Sequence, residues 1–347
     1  MPALDGPARF NWLDGERLIR FGDGLVAEAA ELLASGGFRA YSLLTTERAI
    51  AEAPALGGQA AAVVRVPPGA VPEAAAAIRS RVAGRPLVAF GGGRVIDVAK
   101  AIAAADGLHC AAVPTTLSGA ELTQIHRMPA GAGGSGRVRP RLVIADPRVM
   151  ASQPMPLLAA SAMNALGHAV EALYTPLANP VATLAALRAA SLIASGLRAD
   201  EPARADLALG ALLGGYATGS TGYAVHHVLC QTLVGVAGTP HAETNAVLLP
   251  HSLRLMQNRA PVALERLASA LAGGELERGL APAGGRSAAD NVAKLASRAQ
   301  VTCISDLGVA RALLDEVAAR AVARPELQHT PLPPDQDELA ALLEAAY

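Results

Sequence analysis

A chain of 347 residues has the length for about two domains of roughly 150 residues each. With 52% hydrophobic and 17% charged residues it can bury a sizeable core, which excludes wholesale disorder. The net charge is −1 and the charges are interspersed, so there is no basic stripe for nucleic acid or an anionic membrane and no acidic tail for a basic partner.

In chain order, short apolar runs predict strands at Arg17–Phe21, Ala40–Thr45, Ala61–Val66, Pro86–Phe90, Cys110–Val113 and Arg141–Ala145. Between them, helical patterns run over Leu25–Ala34, Val71–Val82 and Val95–Ala105. Alternating β and α units predict a mainly parallel sheet with helices on its faces. After Asp146-Pro147 strand signals cease, and Ala/Leu-rich periodicity predicts helices over 157–175, 180–196, 202–217, 222–234, 243–256, 260–272, 287–299, 308–322 and 335–346. The expected organisation is an α/β dinucleotide-binding domain over 1–152 and an all-α substrate and catalytic domain over 153–347. Exposed loops are expected at Gly131–Gly136 and around Gly284-Gly285.

Leu207 to Ala242 contains no Asp, Glu, Lys or Arg. A membrane span needs about 20 predominantly apolar residues. This stretch is interrupted by Gly214, Gly215, Ser220, Gly222, His226, His227, Gln231 and Pro240, so a pair of buried helices around a site is expected. The N-terminus carries early acids and no apolar run of signal-peptide type. Cys110, Cys230 and Cys303 are odd in number and far apart, which fits neither a disulfide framework nor a zinc ribbon and suits a reducing cytoplasm.

Val88 to Lys100 reads as strand, glycine turn (Gly91, Gly92, Gly93) and helix. Glycines let a backbone approach a pyrophosphate, and the helix N-terminus offers free N–H groups. It is neither the G-x-G-x-x-G fingerprint nor a Walker A loop. A second strand ends in Pro114-Thr115-Thr116-Leu117-Ser118-Gly119, whose hydroxyls would face the same crevice. Farther on, Asn164 and His168 share a helix face, and His226-His227, His241 and His251 follow in low-charge sequence.

The GGG-x-x-x-D-x-A-K segment, which includes Asp97, followed by P-T-T-x-x-G resembles the cofactor cradle of the group III (iron-type) alcohol dehydrogenases, a family related to dehydroquinate synthase. The resemblance implies that these segments hold the pyrophosphate and nicotinamide half of NAD(P). Thr45 and Thr46 stand where many members carry Asp beside the adenosine ribose, which leaves NADH and NADPH both open. It also implies that Asn164, His168, His227 and His241 occupy metal-ligand positions. An amide in place of a carboxylate weakens such a site, so the metal is expected to be absent, with His168, His227 and His241 as its ligands if one is bound.

Asn164 and the motifs around His168, His226-His227 and Pro240-His241-Ala242-Glu243-Thr244 are similar to those of the maleylacetate reductases within that family. The resemblance implies NAD(P)H-dependent reduction of an unsaturated or carbonyl acid, maleylacetate to 3-oxoadipate being the named case, in aromatic-compound catabolism. His168, His227 and His241 would be hydrogen-bond donors to the substrate oxygen, with His226 as an orienting group or proton donor. Asn164, Gln231, Arg127 and Glu243 are the substrate-binding candidates.

Two departures stand out. Gln231 replaces a histidine usual in that subfamily, and Gln328-His329-Thr330-Pro331 lacks the arginine of its Asn-Pro-Arg-Pro stretch. Arg127 is a candidate substitute for that cation. Two other readings remain: a zinc- or iron-dependent alcohol dehydrogenase, and a non-redox enzyme or binding protein on the same scaffold. Relatives are commonly dimers, and Arg17–Phe21 as an edge strand would pair across the two-fold axis of a homodimer.

Overall fold

A computed structural model describes residues 9–273 and 287–347. The loop expected around Gly284-Gly285 lies outside the described residues. The chain forms two compact units, Met1–Ser152 and Gln153–Tyr347.

The first unit holds seven strands: β1 (Phe10–Asp14), β2 (Arg17–Phe21), β3 (Ser42–Thr45), β4 (Ala62–Arg65), β5 (Leu87–Gly91), β6 (Cys110–Pro114) and β7 (Leu142–Ala145). They make one sheet in the order β1-β2-β7-β6-β5-β3-β4. All pairs are parallel except the β1–β2 hairpin. Strands β3, β5, β6 and β7 are buried along their whole length, as expected of strands covered by helices on both faces. The helices are α1 (Leu25–Ser35), α2 (Glu47–Glu52), α3 (Pro54–Gly58), α4 (Val71–Ile78), α5 (Gly93–Asp106) and α6 (Pro147–Met150). Asp146 fastens this layer: its carboxylate accepts from Arg148 N at 3.0 Å and from Val26 N at 2.9 Å.

The strand at Arg17–Phe21 is not an edge. β1 pairs on its outer side through the two-residue turn Gly15-Glu16, with Gly15 at φ 61°. An apolar run, Asp-Gly, then a second apolar run is the pattern that closes a hairpin, and it moves the edge to β1.

The chain runs from β3 outward to β4, then returns to the other side of β3 for β5, β6 and β7. The carboxyl ends of β3 and β5 flank this reversal, with Thr45 paired to Phe90 and Gly91 to Pro114. Open α/β sheets bind ligands at such a point.

The second unit is helical: α7 (Met155–Ala172), α8 (Pro180–Arg198), α9 (Arg204–Thr221), α10 (Val225–Ala237), α11 (His241–Met256), α12 (Pro261–Leu271), α13 (Ala288–Ala296), α14 (Leu314–Val322) and α15 (Gln336–Ala345). Helix α7 packs against α8, α9 and α11, and all but a few of its residues are buried. Small side chains let the helices close up: Ala169 and Ala172 meet Ala182, Ala186, Ala189 and Ala217. A Cβ on Gly214 of α9 would stand 2.8 Å from the Ala165 carbonyl oxygen of α7. The uncharged stretch from Leu207 forms α9 and α10, both mostly buried. Among the described residues α8 is the one helix long and apolar enough to cross a membrane, and 61% of its apolar window is buried.

Candidate active site

In the first unit the glycine turn after β5 meets the loop after β6. A Cβ on Gly92 would come within 3.0 Å of the Thr116 side chain, and one on Gly93 within 2.9 Å of Ser118 Cβ. Gly91 is equally confined, with Val95 2.7 Å from the place of its Cβ. Gly92 and Gly93 therefore let two strand-end loops touch, while Gly91 lets α5 start close against the strand end. Helix α5 starts at Gly93 with no side-chain cap and no acidic residue in its first turn. Its first N–H groups are left for an anion. Thr115 Oγ is buried beside this turn and has no hydrogen-bond partner among the described residues. These features fit a dinucleotide pyrophosphate.

Asp97 faces inward instead. It pairs with the fully buried Lys100 at 2.7 Å, and Lys100 Nζ also donates to the carbonyls of Ala120 and Ile125, both at 2.8 Å. That lysine stitches the post-β6 loop to α5. At the end of β3, Thr45 is buried, whereas Thr46 is half-buried and caps α2 by accepting from Ala49 N at 3.2 Å. Arg127 is exposed and makes no ion pair among the described residues.

In the second unit the histidines come from three helices. His168 of α7 and His227 of α10 stack with ring centroids 4.5 Å apart and planes 7° from parallel. His226 stands edge-on to His227 at 5.0 Å. Its two ring nitrogens are engaged inside the protein, Nε2 with Asn245 Oδ1 at 2.9 Å and Nδ1 with Ser252 Oγ at 3.2 Å. A Cβ on Gly167 would lie 2.8 Å from that ring, so the helix is glycine where His226 rests on it. His241 is exposed at the start of α11, where Asn245 Nδ2 donates to its Nε2 at 3.3 Å and to its carbonyl at 2.7 Å. Asn164 is buried one turn before His168, and Glu243 is half-buried in the first turn of α11.

Glu171, a residue that the sequence motif contains but does not mark as functional, organises this cluster. It is fully buried, accepts the His226 N–H at 2.8 Å and the His227 N–H at 3.4 Å, and its other oxygen lies 2.6 Å from His227 Nδ1. Burial raises the Glu171 carboxyl, while the backbone donors oppose the rise. A carboxylate there fixes His227 as the Nδ1–H tautomer and turns Nε2 into an acceptor. Nε2 is buried with no partner among the described residues. Burial pushes His226 and His227 down to about 3 and His168 well below its ordinary value, so all three rings are neutral near pH 7. His227 Nε2 is therefore not a resting donor, as the sequence suggests, and becomes one only when the Glu171–His227 pair gains a proton.

Beyond His227 lies a polar group that the sequence does not announce. The Tyr223 ring is 6.0 Å from the His227 ring. Arg324 Nη2 donates to Gln231 Oε1 at 2.9 Å and to Tyr223 Oη at 3.0 Å, and Tyr223 Oη donates to Glu326 Oε1 at 3.0 Å. All four side chains are half-buried.

Strand-end loops that fit a dinucleotide pyrophosphate, and a neutral histidine cluster in the helical unit, suit a nucleotide-dependent oxidoreductase. Comparison with known proteins agrees. Residues 20–154 match the iron-containing alcohol dehydrogenase model, and residues 158–347 match the C-terminal model of the Fe-containing alcohol dehydrogenase family. The chain belongs to the iron-containing alcohol dehydrogenase family. A maleylacetate reductase of Pseudomonas aeruginosa is 36% identical over 351 residues, covering 95% of each chain. Maleylacetate reductase 1 of Rhodococcus opacus is 42% identical over 199 residues, 53% of this chain and 55% of that protein. The crystal structure of maleylacetate reductase from Agrobacterium tumefaciens superposes with a TM-score of 0.81 at 30% identity, covering 98% of each chain.

The family name implies a metal, and the histidines do not fit one. A metal lies near the plane of each imidazole that binds it, about 2 Å from the nitrogen. Rings 7° from parallel and 4.5 Å apart cannot both meet that condition at one ion. Among the described residues no three His, Cys, Asp or Glu side chains converge as a ligand set, and Asn164 contributes an amide, not a carboxylate.

Proposed function

We propose that this protein reduces maleylacetate, or a closely similar keto acid, with NAD(P)H and without a metal. The observation that carries the reading is His227: a buried nitrogen with no partner, backed by a buried carboxylate, beside a stacked neutral histidine.

Bound NAD(P)H supplies the hydride. As the substrate accepts it, negative charge gathers on the ketone oxygen and must be met by a proton. His227 Nε2 rests as an acceptor, so the proton that completes the reduction is taken from solvent and handed on by the Glu171–His227 pair. Glu171 holds the ring and balances the imidazolium charge as the proton passes. His168 fixes the ring by stacking, while Asn245 and Ser252 hold His226 as a supporting wall. The glycine turn and Thr115 bind the pyrophosphate. Of the substrate-binding candidates, Gln231 lies on the half-buried side of the cluster and Arg127 is left without a supporting observation. Homodimerisation and a cytoplasmic location belong to the same proposal, supported by the kinship with the maleylacetate reductases.

The test is a titration of chelator-treated, metal-analysed protein with NADH and NADPH, followed by maleylacetate with the better binder. Rapid cofactor oxidation without metal supports the reading. Turnover that requires added zinc or iron favours a metal-dependent alcohol dehydrogenase. Cofactor binding without turnover on any keto or enol acid favours a non-redox role for the scaffold.

A further inference from the structure

We propose that Arg324 and Gln231 form the carboxylate-recognition element of the substrate site, so that this chain reads the acid end of its substrate with a cation placed differently from the arginine its sequence lacks. The inference rests on the reductase reading above and names what selects the substrate.

Two departures from the expected sequence pattern meet here. Gln231 stands where a histidine is usual, and its Oε1 accepts from Arg324 Nη2. Arg324 precedes the stretch where the missing arginine is expected, in the short turn Arg324–Pro325–Glu326. The guanidinium is held on several sides. Nη2 is spent on Gln231 and Tyr223, Nε donates to Glu326 at 3.3 Å, and the carbon of the guanidinium lies 5.9 Å from the Tyr223 ring centroid. Tyr223 is fixed in turn, since His329 Nδ1 lies 3.0 Å from its carbonyl oxygen.

Arg324 Nη1 and Gln231 Nε2 carry N–H groups with no partner among the described residues. Both side chains are half-buried and lie one ring away from His227. With Nε and Nη2 engaged, the Nη1 end of the guanidinium and the neighbouring Gln231 amide each offer N–H groups, a pair of donors that matches the two oxygens of a carboxylate. Glu326 partly neutralises the arginine and so moderates its attraction for an anionic guest.

The probe is adipate, a six-carbon dicarboxylate with no reducible group, titrated calorimetrically into the intact protein saturated with oxidised dinucleotide. Arg324→Gln should weaken adipate binding by about 10- to 100-fold while dinucleotide affinity is unchanged. Arg324→Lys, which keeps the charge and loses the fork, should fall between, and it keeps the test valid if the glutamine variant misfolds. Glu326→Gln frees the guanidinium and should tighten adipate binding, whereas a merely structural Arg324–Glu326 pair would make both variants bind less. Adipate that fails to bind the wild type, or binds Arg324→Gln equally well, overturns the proposal. Adipate binding through Arg324 without maleylacetate turnover instead sinks the reductase reading and leaves this site standing.

Discussion

His227 Nδ1 lies 2.6 Å from a Glu171 oxygen whose partner oxygen is already held by two backbone N–H groups. Those donors forbid the carboxylate from turning, so the tautomer of His227 is set by Glu171. In Glu171→Gln the Oε1 atom must stay with the backbone donors, and the amide N–H then faces Nδ1. His227 is expected to switch to the Nε2–H tautomer and turnover to fall by roughly 10²-fold or more. Nitrogen-15 NMR of labelled histidine reads the tautomer directly, and an unchanged tautomer in the variant refutes the assignment.

Thr46 is half-buried and caps α2 through its side-chain oxygen. Aspartate caps a helix equally well. Thr46→Asp should therefore fold normally while placing a negative charge at the end of β3. NADPH affinity is expected to drop at least about tenfold relative to NADH, from repulsion of the 2′-phosphate. Fluorescence titration with both nucleotides decides it, and equal losses for the two would show that the ribose lies elsewhere.

Gly92 sits with its missing Cβ 3.0 Å from Thr116. Gly92→Val should push the two loops apart and weaken dinucleotide binding by about 10-fold or more, with the helical unit unaffected. Equilibrium binding together with circular dichroism tests this, and undiminished affinity would remove the turn from the cofactor site.

Glu121 is fully buried, and neither carboxyl oxygen has a partner among the described residues. Burial pushes it up to about 7, with Lys100 opposing and Asp97 adding to the rise. Arg17, buried nearby, spends a donor on the Leu122 carbonyl at 3.1 Å. A raised carboxyl binds more protons in the folded state between its unfolded value near 4.5 and about 7. Its stabilising contribution is thus complete below about 4.5 and is lost as pH rises through 7. Glu121→Gln should be increasingly more stable than wild type as pH rises, by up to about 3 kcal/mol at pH 8. Denaturant unfolding at pH 5 and pH 8 measures the difference, and a pH-independent offset would contradict it.

The parallel strands and the helices were legible because burial on both faces leaves unbroken apolar runs and alanine-rich helices keep their period. β1 was missed although Asp14-Gly15 sits between two apolar runs, because its hairpin signal lies beside an N-terminal segment without periodicity. The histidines stood out through the resemblance of their motifs to those of the iron-type alcohol dehydrogenases. Glu171 did not, since a lone acid in an apolar helix does not reveal which side chain it faces. Arg324 was invisible for a different reason: its partners Tyr223 and Gln231 are about a hundred residues away in sequence, and only the folded chain brings them together.

At Gly214 and Gly167 the helices of the second unit meet backbone or ring directly, with no adjustable side chain between them. A replacement in that interior is passed on as displacement of a whole helix, since no rotamer is free to absorb it. New substrates must therefore be acquired at the ends of elements, where Tyr223, just before α10, and Arg324 can change identity without moving α7.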